Sequence, residues 1–194
     1  MSNKGALIIL SGPSGVGKGT IRQALLARGY LPFWYSVSMT TRSIRPGETD
    51  GVEYYFVNDA EFDRNIETGN FLEYVEFVGH RYGTPKDKVL EHLNAGVNVI
   101  LEIDVSGTEK ILTNCADLDP ITIFLIPPSF QVLEDRIRGR STEDEATILR
   151  RLLKARVEMQ VRDRYQHVVV NDNVEQAVEE IEKIIGKELS RRSS

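Results

Sequence analysis

Between the apolar run ALIIL (Ala6–Leu10) and a stretch of helical apolar spacing lies SGPSGVGKGT, where Gly12, Gly15, Gly17 and Gly19 crowd with Pro13 around Lys18. No other feature narrows the fold as much. Glycine loses more backbone freedom on folding than any other residue, so a run this dense needs a use for bare main-chain amides. Gly12 and Gly17-Lys18 fit the spacing G-x-x-x-x-G-K with a strand before and a helix after, the setting of a phosphate-binding loop. The glycines let successive N–H groups converge on an anion, the helix start adds partial positive charge, and Lys18 supplies a mobile cation. Ser14, Gly15, Val16, Gly17, Lys18, Gly19 and Thr20 are therefore expected to wrap a nucleotide's phosphates. The residue after the lysine, usually Ser or Thr, is Gly19, and the hydroxyl comes one place later at Thr20. Glycine has no side chain to offer magnesium.

The rest of the chain alternates in the same style. After the loop, Ile21, Ala24 and Leu25 repeat at helical spacing and Gly29 closes the helix. VNVILEID (Val97–Asp104), ITIFLI (Ile121–Ile126) and HVVV (His167–Val170) read as further strands buried on both faces. Pro127-Pro128 stops the second of these, and Phe130, Leu133 and Ile137 mark a short helix. Thr142 with Glu145 predicts a capping box for a long helix carrying Ile148, Leu152, Ala155 and Met159. A last helix presents Val174, Ala177, Val178, Ile181, Ile184 and Ile185, and the tail SRRSS is expected to fray. Buried strands alternating with amphipathic helices predict an α/β fold with a parallel sheet.

Residues 36–93 have another texture. VEYYFV and FLEYVEFVG alternate apolar with polar positions, as half-exposed antiparallel strands do. The stretch between them offers Asn58 or Asp59 as a helix N-cap, Phe62 and Ile66 inside, and Gly69 as a stop. This predicts a small α+β insertion.

A net charge of −5, from 24 basic and 29 acidic side chains, argues against a general nucleic-acid binder. The arginines cluster instead, at Arg42 and Arg45, at Arg136, Arg138 and Arg140, and at Arg150 and Arg151, which suits a small polyanion. No run approaches the ~18 apolar residues of a membrane span. The N-terminal apolar run is too short for a secretory leader, and Cys115 alone cannot form an internal disulfide. The expected location is the cytoplasm, with no membrane and no nucleic-acid partner. Composition leaves the oligomeric state open.

GKGT in place of GK[ST] resembles nucleoside monophosphate kinases. With SVSMTTRSIRPGETDGVEYYFV, FLEYVEFVGHRYGTP, ILEIDVSG and VVVNDN in order, the chain is similar to guanylate kinases over nearly its whole length. The resemblance implies a P-loop NTPase-type parallel sheet flanked by helices, with a nucleotide-monophosphate-binding insertion and a helical lid. The corresponding boundaries are 1–35, 94–127 and 156–194 for the core, 36–93 for the insertion and 128–155 for the lid. It implies Mg2+-dependent transfer of the ATP γ-phosphate to GMP.

By the same resemblance Ser38, Arg42, Arg45, Tyr54 and Tyr82 would hold the GMP phosphate, and Glu73, Thr84 and Asp104 would surround guanine. The N1–H and amino group of guanine are donors that a carboxylate accepts, whereas adenine presents an unprotonated N1. Arg136, Arg140 and Arg151 would reach the ATP phosphates from the lid, with Arg138 and Arg150 as further candidates, and Asn171 would lie near adenine. Lys18, Arg45, Arg136, Arg140 and Arg151 form the expected catalytic set. Asp104 reads equally as a carboxylate near magnesium, where Glu102 is the other candidate. Thr20 or Asp104, through water, are the candidate metal contacts. His80, His92 and His167 lie in unrelated contexts, and phosphoryl transfer from ATP to an anionic phosphate needs no general base. Two other readings compete: a non-catalytic guanylate-kinase-like module that binds peptides, and a kinase of AMP, UMP or a phosphorylated ribose.

Overall fold

The computed structural model describes residues 4–77, 79–140 and 144–193 of the protein, without the side chains of Phe77, Arg140 and Ser193. In chain order it contains β1 (Leu7–Ser11), α1 (Lys18–Arg28), β2 (Phe33–Tyr35), β3 (Met39–Thr40), β4 (Tyr55–Phe56), α2 (Asp59–Glu67), β5 (Phe71–Phe77), β6 (His80–Pro85) and α3 (Lys86–Asn94). There follow β7 (Asn98–Glu102), α4 (Val105–Asn114), β8 (Ile121–Ile126), α5 (Phe130–Arg140), α6 (Glu145–Met159), β9 (His167–Val170) and α7 (Val174–Ser193). A five-stranded sheet runs in the order β2-β7-β1-β8-β9, a four-stranded one in the order β4-β3-β6-β5. The α/β class and the parallel pairing expected from the buried apolar runs are both present.

The chain divides into two compact units. One holds residues 8–32, 102–105 and 121–194 and carries the glycine loop. Its core is built on β1 and β8, where Ile8, Ile9, Leu10, Ile121, Ile123, Phe124 and Leu125 are all buried. The glycine loop leaves β1 through Gly12, at φ 145, where an added Cβ would lie 2.5 Å from the Leu125 carbonyl oxygen. Gly12→Ala should therefore cost roughly 1–3 kcal/mol from backbone strain alone, with the collision added. Denaturant midpoints would measure it, and an unchanged midpoint would contradict this geometry. Helix α1 ends on Gly29 in the left-handed conformation, as its position predicts.

Three expectations are corrected here. HVVV is not buried on both faces: Val169 is fully buried, while Val168 and Val170, on the opposite face of β9, are 37% and 46% exposed. The N-cap of α6 is Asp144, whose carboxylate accepts the Thr147 N–H at 2.7 Å, while Thr142 lies outside the described residues. The tail does not fray at Ser190: α7 continues to Ser193, with Arg191 paired to Glu188 at 3.0 Å.

The other unit holds residues 1–7, 33–101 and 106–120. The expected helix forms as α2, capped by Asn58 through its acceptor for the Glu61 N–H at 2.9 Å. The antiparallel pairing of FLEYVEFVG holds, with β5 against β6. VEYYFV contributes only the two-residue β4, and it pairs parallel to β3. Strands β2 and β3 and helices α3 and α4 were not legible in the periodicity. Gly83 on β6 is required by packing, since a Cβ there would meet the Phe71 ring at 2.7 Å. Among the described residues, no helix is long and apolar enough to cross a membrane.

Candidate active site

The glycine loop is locked from behind. Val16 is fully buried, and its carbonyl accepts from Asn171 Nδ2 at 2.8 Å and Arg136 Nη1 at 3.4 Å. Both terminal nitrogens of Arg136 also donate to the Asn171 carbonyl at 3.0 Å. Gly17 sits at φ 99 with Asn171 Nδ2 2.7 Å from where a Cβ would stand, so only glycine fits. Gly15, at φ 85, has Ile137 against it in the same way. Arg136 and Asn171 thus brace the loop's main chain.

Lys18 opens α1 and folds back over the loop, donating to the carbonyls of Gly12 at 2.6 Å and Pro13 at 3.2 Å. Burial pulls its pKa below the ordinary lysine value, opposed by the carboxylates of Glu102, Glu158 and Asp104. Ser14 is gripped twice: Arg151 Nη2 donates to its Oγ at 3.1 Å, and its N–H donates to Glu158 Oε2 at 3.3 Å. Asp104, expected beside guanine or magnesium, lies in this unit, with Oδ2 3.1 Å from Lys154 Nζ. Glu102 lies 3.2 Å from Arg22 Nε. Its oxygens stand 3.6 and 3.8 Å from an ideal Cβ at Gly19, in the gap left by the missing side chain. Thr20 is exposed on the first turn of α1. Arg140 ends α5, and its side chain is outside the described part. Glu158, Lys154 and Arg22 were not singled out from the sequence. A charged residue on an amphipathic helix reads as solvent-facing until the fold shows what it meets.

The other unit gathers the remaining candidates. On the β5–β6 ladder Glu73 pairs with Thr84 and Val75 with Tyr82, so Glu73, Thr84 and Tyr82 share one face. Glu73 and Thr84 are buried, at 7% and 1% exposure, and the Thr84 hydroxyl donates to Glu73 Oε1 at 2.7 Å. Tyr82 lies two residues along β6, about 7 Å away at the usual strand rise. Tyr54 meets Tyr82 edge-on with ring centroids 5.7 Å apart. Arg42 sits 5.4 Å from the Tyr54 ring centre. Ser38 is half-buried, and its carbonyl accepts the Tyr55 N–H at 2.9 Å. Arg45 is exposed.

Glu48 was also missed. Its carboxylate takes Arg42 in a fork, at 2.7 and 3.0 Å, and accepts the Arg45 N–H at 2.8 Å. The Arg42 hydrogen bond, with help from the Arg45 amide, holds the Glu48 carboxyl below the usual range against the opposite pull of burial. A carboxyl with a depressed folded pKa adds stability above its unfolded pKa and loses it as pH falls through the folded value. Wild type should accordingly lose more stability than Glu48→Gln between about pH 5 and pH 2. Parallel stability curves for the two would show that the pair adds nothing.

A family model described as guanylate kinase matches residues 4–188. A guanylate kinase of Latilactobacillus sakei is 50% identical over 188 residues, 97% of this chain and 92% of the relative. A guanylate kinase of Mesoplasma florum is 48% identical across 100% of this chain, which spans 65% of that relative's length. The crystal structure of guanylate kinase from Anaplasma phagocytophilum superposes with a TM-score of 0.76 at 31% identity, covering 96% of this chain and 87% of that one.

Proposed function

The chain belongs to the guanylate kinase family, and from that premise we propose how its residues divide one reaction between them. The reaction is transfer of the γ-phosphate of ATP to GMP, giving ADP and GDP. The observation that carries the acceptor assignment is the buried Glu73–Thr84 pair on the same face as Tyr82. Glu73 accepts from guanine N1–H and the amino group, and the Thr84 hydroxyl serves O6. Asp104 completes the base contacts or holds a water near magnesium. Ser38, Arg42, Arg45, Tyr54 and Tyr82 take the GMP phosphate, with the Arg42 fork, held by Glu48 at 2.7 and 3.0 Å, exchanging that carboxylate for phosphate oxygens.

The amides of Ser14 to Thr20 and the ammonium of Lys18 hold the ATP phosphates, and Asn171 serves the adenine end. The attacking GMP oxygen is already anionic, so the protein's work is positioning and stabilising charge on the migrating phosphoryl group. Lys18, Arg45, Arg136, Arg140 and Arg151 supply that charge. Arg136 acts in part through the loop it braces. Residues 128–155 act as the lid, excluding water as a competing acceptor.

Magnesium accompanies ATP as part of the substrate. Among the described residues no cluster of three or more His, Cys, Asp or Glu side chains could hold a metal. Mg2+ keeps several waters and takes only one or two carboxylates beside the phosphates. Thr20, Glu102 and Asp104 are the oxygen donors on hand, and the ion would neutralise phosphate charge. Free nucleotides as substrates and a single cysteine support a cytoplasmic setting.

A coupled assay of ADP release with ATP and GMP tests the reading, run beside AMP, UMP and a phosphorylated ribose. GMP alone should be turned over well. An inert GMP would leave the peptide-binding module standing, and turnover of another acceptor would reassign Glu73.

A further inference from the structure

A carboxylate is an odd neighbour for a polyphosphate, yet Glu158 is buried, at 6% exposure, with its Oε2 on the main-chain N–H of Ser14. Resting on the reading above, we infer that Glu158 is a positioning residue that sets Ser14 and Lys154 for the ATP phosphates.

Arg151, Lys154 and Glu158 recur on one face of α6, at spacings that bring side chains into a row. From that row Arg151 holds the Ser14 hydroxyl while Glu158 holds its amide, so one helix fixes both ends of the residue. Glu158 Oε1 lies 3.5 Å from Lys154 Nζ, and the same ammonium donates to Asp104 Oδ2 at 3.1 Å. Burial pushes the Glu158 carboxyl up, and the ammonium groups of Lys154 and Lys18 draw it back down.

Packing alone gives no reason for an acid here. Ile148, Leu152 and Ala155 already bury the apolar face of α6, and a buried carboxylate costs free energy unless it is paired. What the acid adds is placement. Lys18 and Lys154 stand against Glu102, Asp104 and Glu158, and Arg151 is tied to the Ser14 hydroxyl, so the cations are held at the loop before any triphosphate arrives. Charge ordered during folding does not have to be ordered at the moment of reaction.

Three variants test this. Glu158→Gln keeps an oxygen for the Ser14 amide and removes the charge, Glu158→Ala removes both, and Glu158→Asp keeps the charge on a shorter arm. The expected loss in kcat/KM for ATP is roughly 10-fold for Gln and roughly 100-fold for Ala, as for truncating a charged hydrogen bond. Asp should lie nearest wild type, and the KM for GMP should stay within about 2-fold throughout, since the Glu158 hydrogen bond is to Ser14 of the loop assigned to ATP. Calorimetric titration with ATP alone should rank the variants in the same order. Wild-type ATP affinity and rate in both Gln and Ala would overturn the inference. So would a loss that falls equally on ATP and GMP in step with the folded fraction. If Ala does not fold, the Gln and Asp titrations decide. A wild type that binds ATP but leaves GMP untouched would overturn the parent reading, and the ATP titrations would still judge Glu158.

Discussion

Lys18→Ala should lower turnover by about 10³-fold, the cost of deleting a preorganised cation at a developing charge, and leave the melting temperature close to wild type. The lysine opens α1 and donates to the carbonyls of Gly12 and Pro13. Its burial works against the charged form, and Glu102, Glu158 and Asp104 offset that. Alanine removes the half-buried charge along with its carbonyl bonds, so the two effects on stability oppose each other. In the reaction nothing replaces it. Steady-state kinetics with ATP and GMP, beside thermal melts, would check both halves. Near-normal turnover in this variant would remove the phosphate-loop assignment.

Glu73→Gln should lower kcat/KM for GMP by roughly 10²- to 10⁴-fold, the range by which a site built for specific hydrogen bonds rejects a mismatched partner. The KM for ATP should hold within about 2-fold, because substrate contacts made elsewhere are untouched. Glu73 is buried, and Oε1 already accepts the Thr84 hydroxyl at 2.7 Å. An amide there sets an NH2 against guanine's own donors in a place where water cannot repair the mismatch. The Thr84 hydroxyl keeps an acceptor in the amide oxygen, so the fold should survive. Equal losses for GMP and ATP would make Glu73 a structural residue of the β5–β6 ladder.

Much of this protein can be read before folding it. The glycine loop is legible because its chemistry is local: N–H groups only a few residues apart must converge, and that demands glycine at set spacings. Strands β1 and β8 and helix α1 follow from contiguous apolar runs and a Gly29 stop. The acceptor residues were nameable through family resemblance, and no spacing rule alone would have gathered Arg42, Glu73 and Tyr82.

Other parts were misread for identifiable reasons. HVVV has the composition of a buried strand, but each face is buried only where something packs over it, and Val169 is covered while Val168 and Val170 on the opposite face are partly exposed. Asp144 displaced Thr142 as the cap because several residues nearby can accept an N–H, and the path of the chain selects among them. The strands β2 and β3 are three and two residues long, too short for any period to show.

By itself, then, the sequence determined the α/β class and the glycine loop after β1, since each rests on interactions within a short stretch of chain, while the acceptor residues followed from family resemblance. Only the tertiary structure decided what each charge meets: that Arg136 and Asn171 brace the loop, that Glu48 holds Arg42, and that Glu158 reaches Ser14. Such pairings join residues as much as 155 positions apart, as Asn171 and Val16 are. Coulombic and hydrogen-bond energies depend on distance in space, and linear order does not encode that distance until the chain has packed.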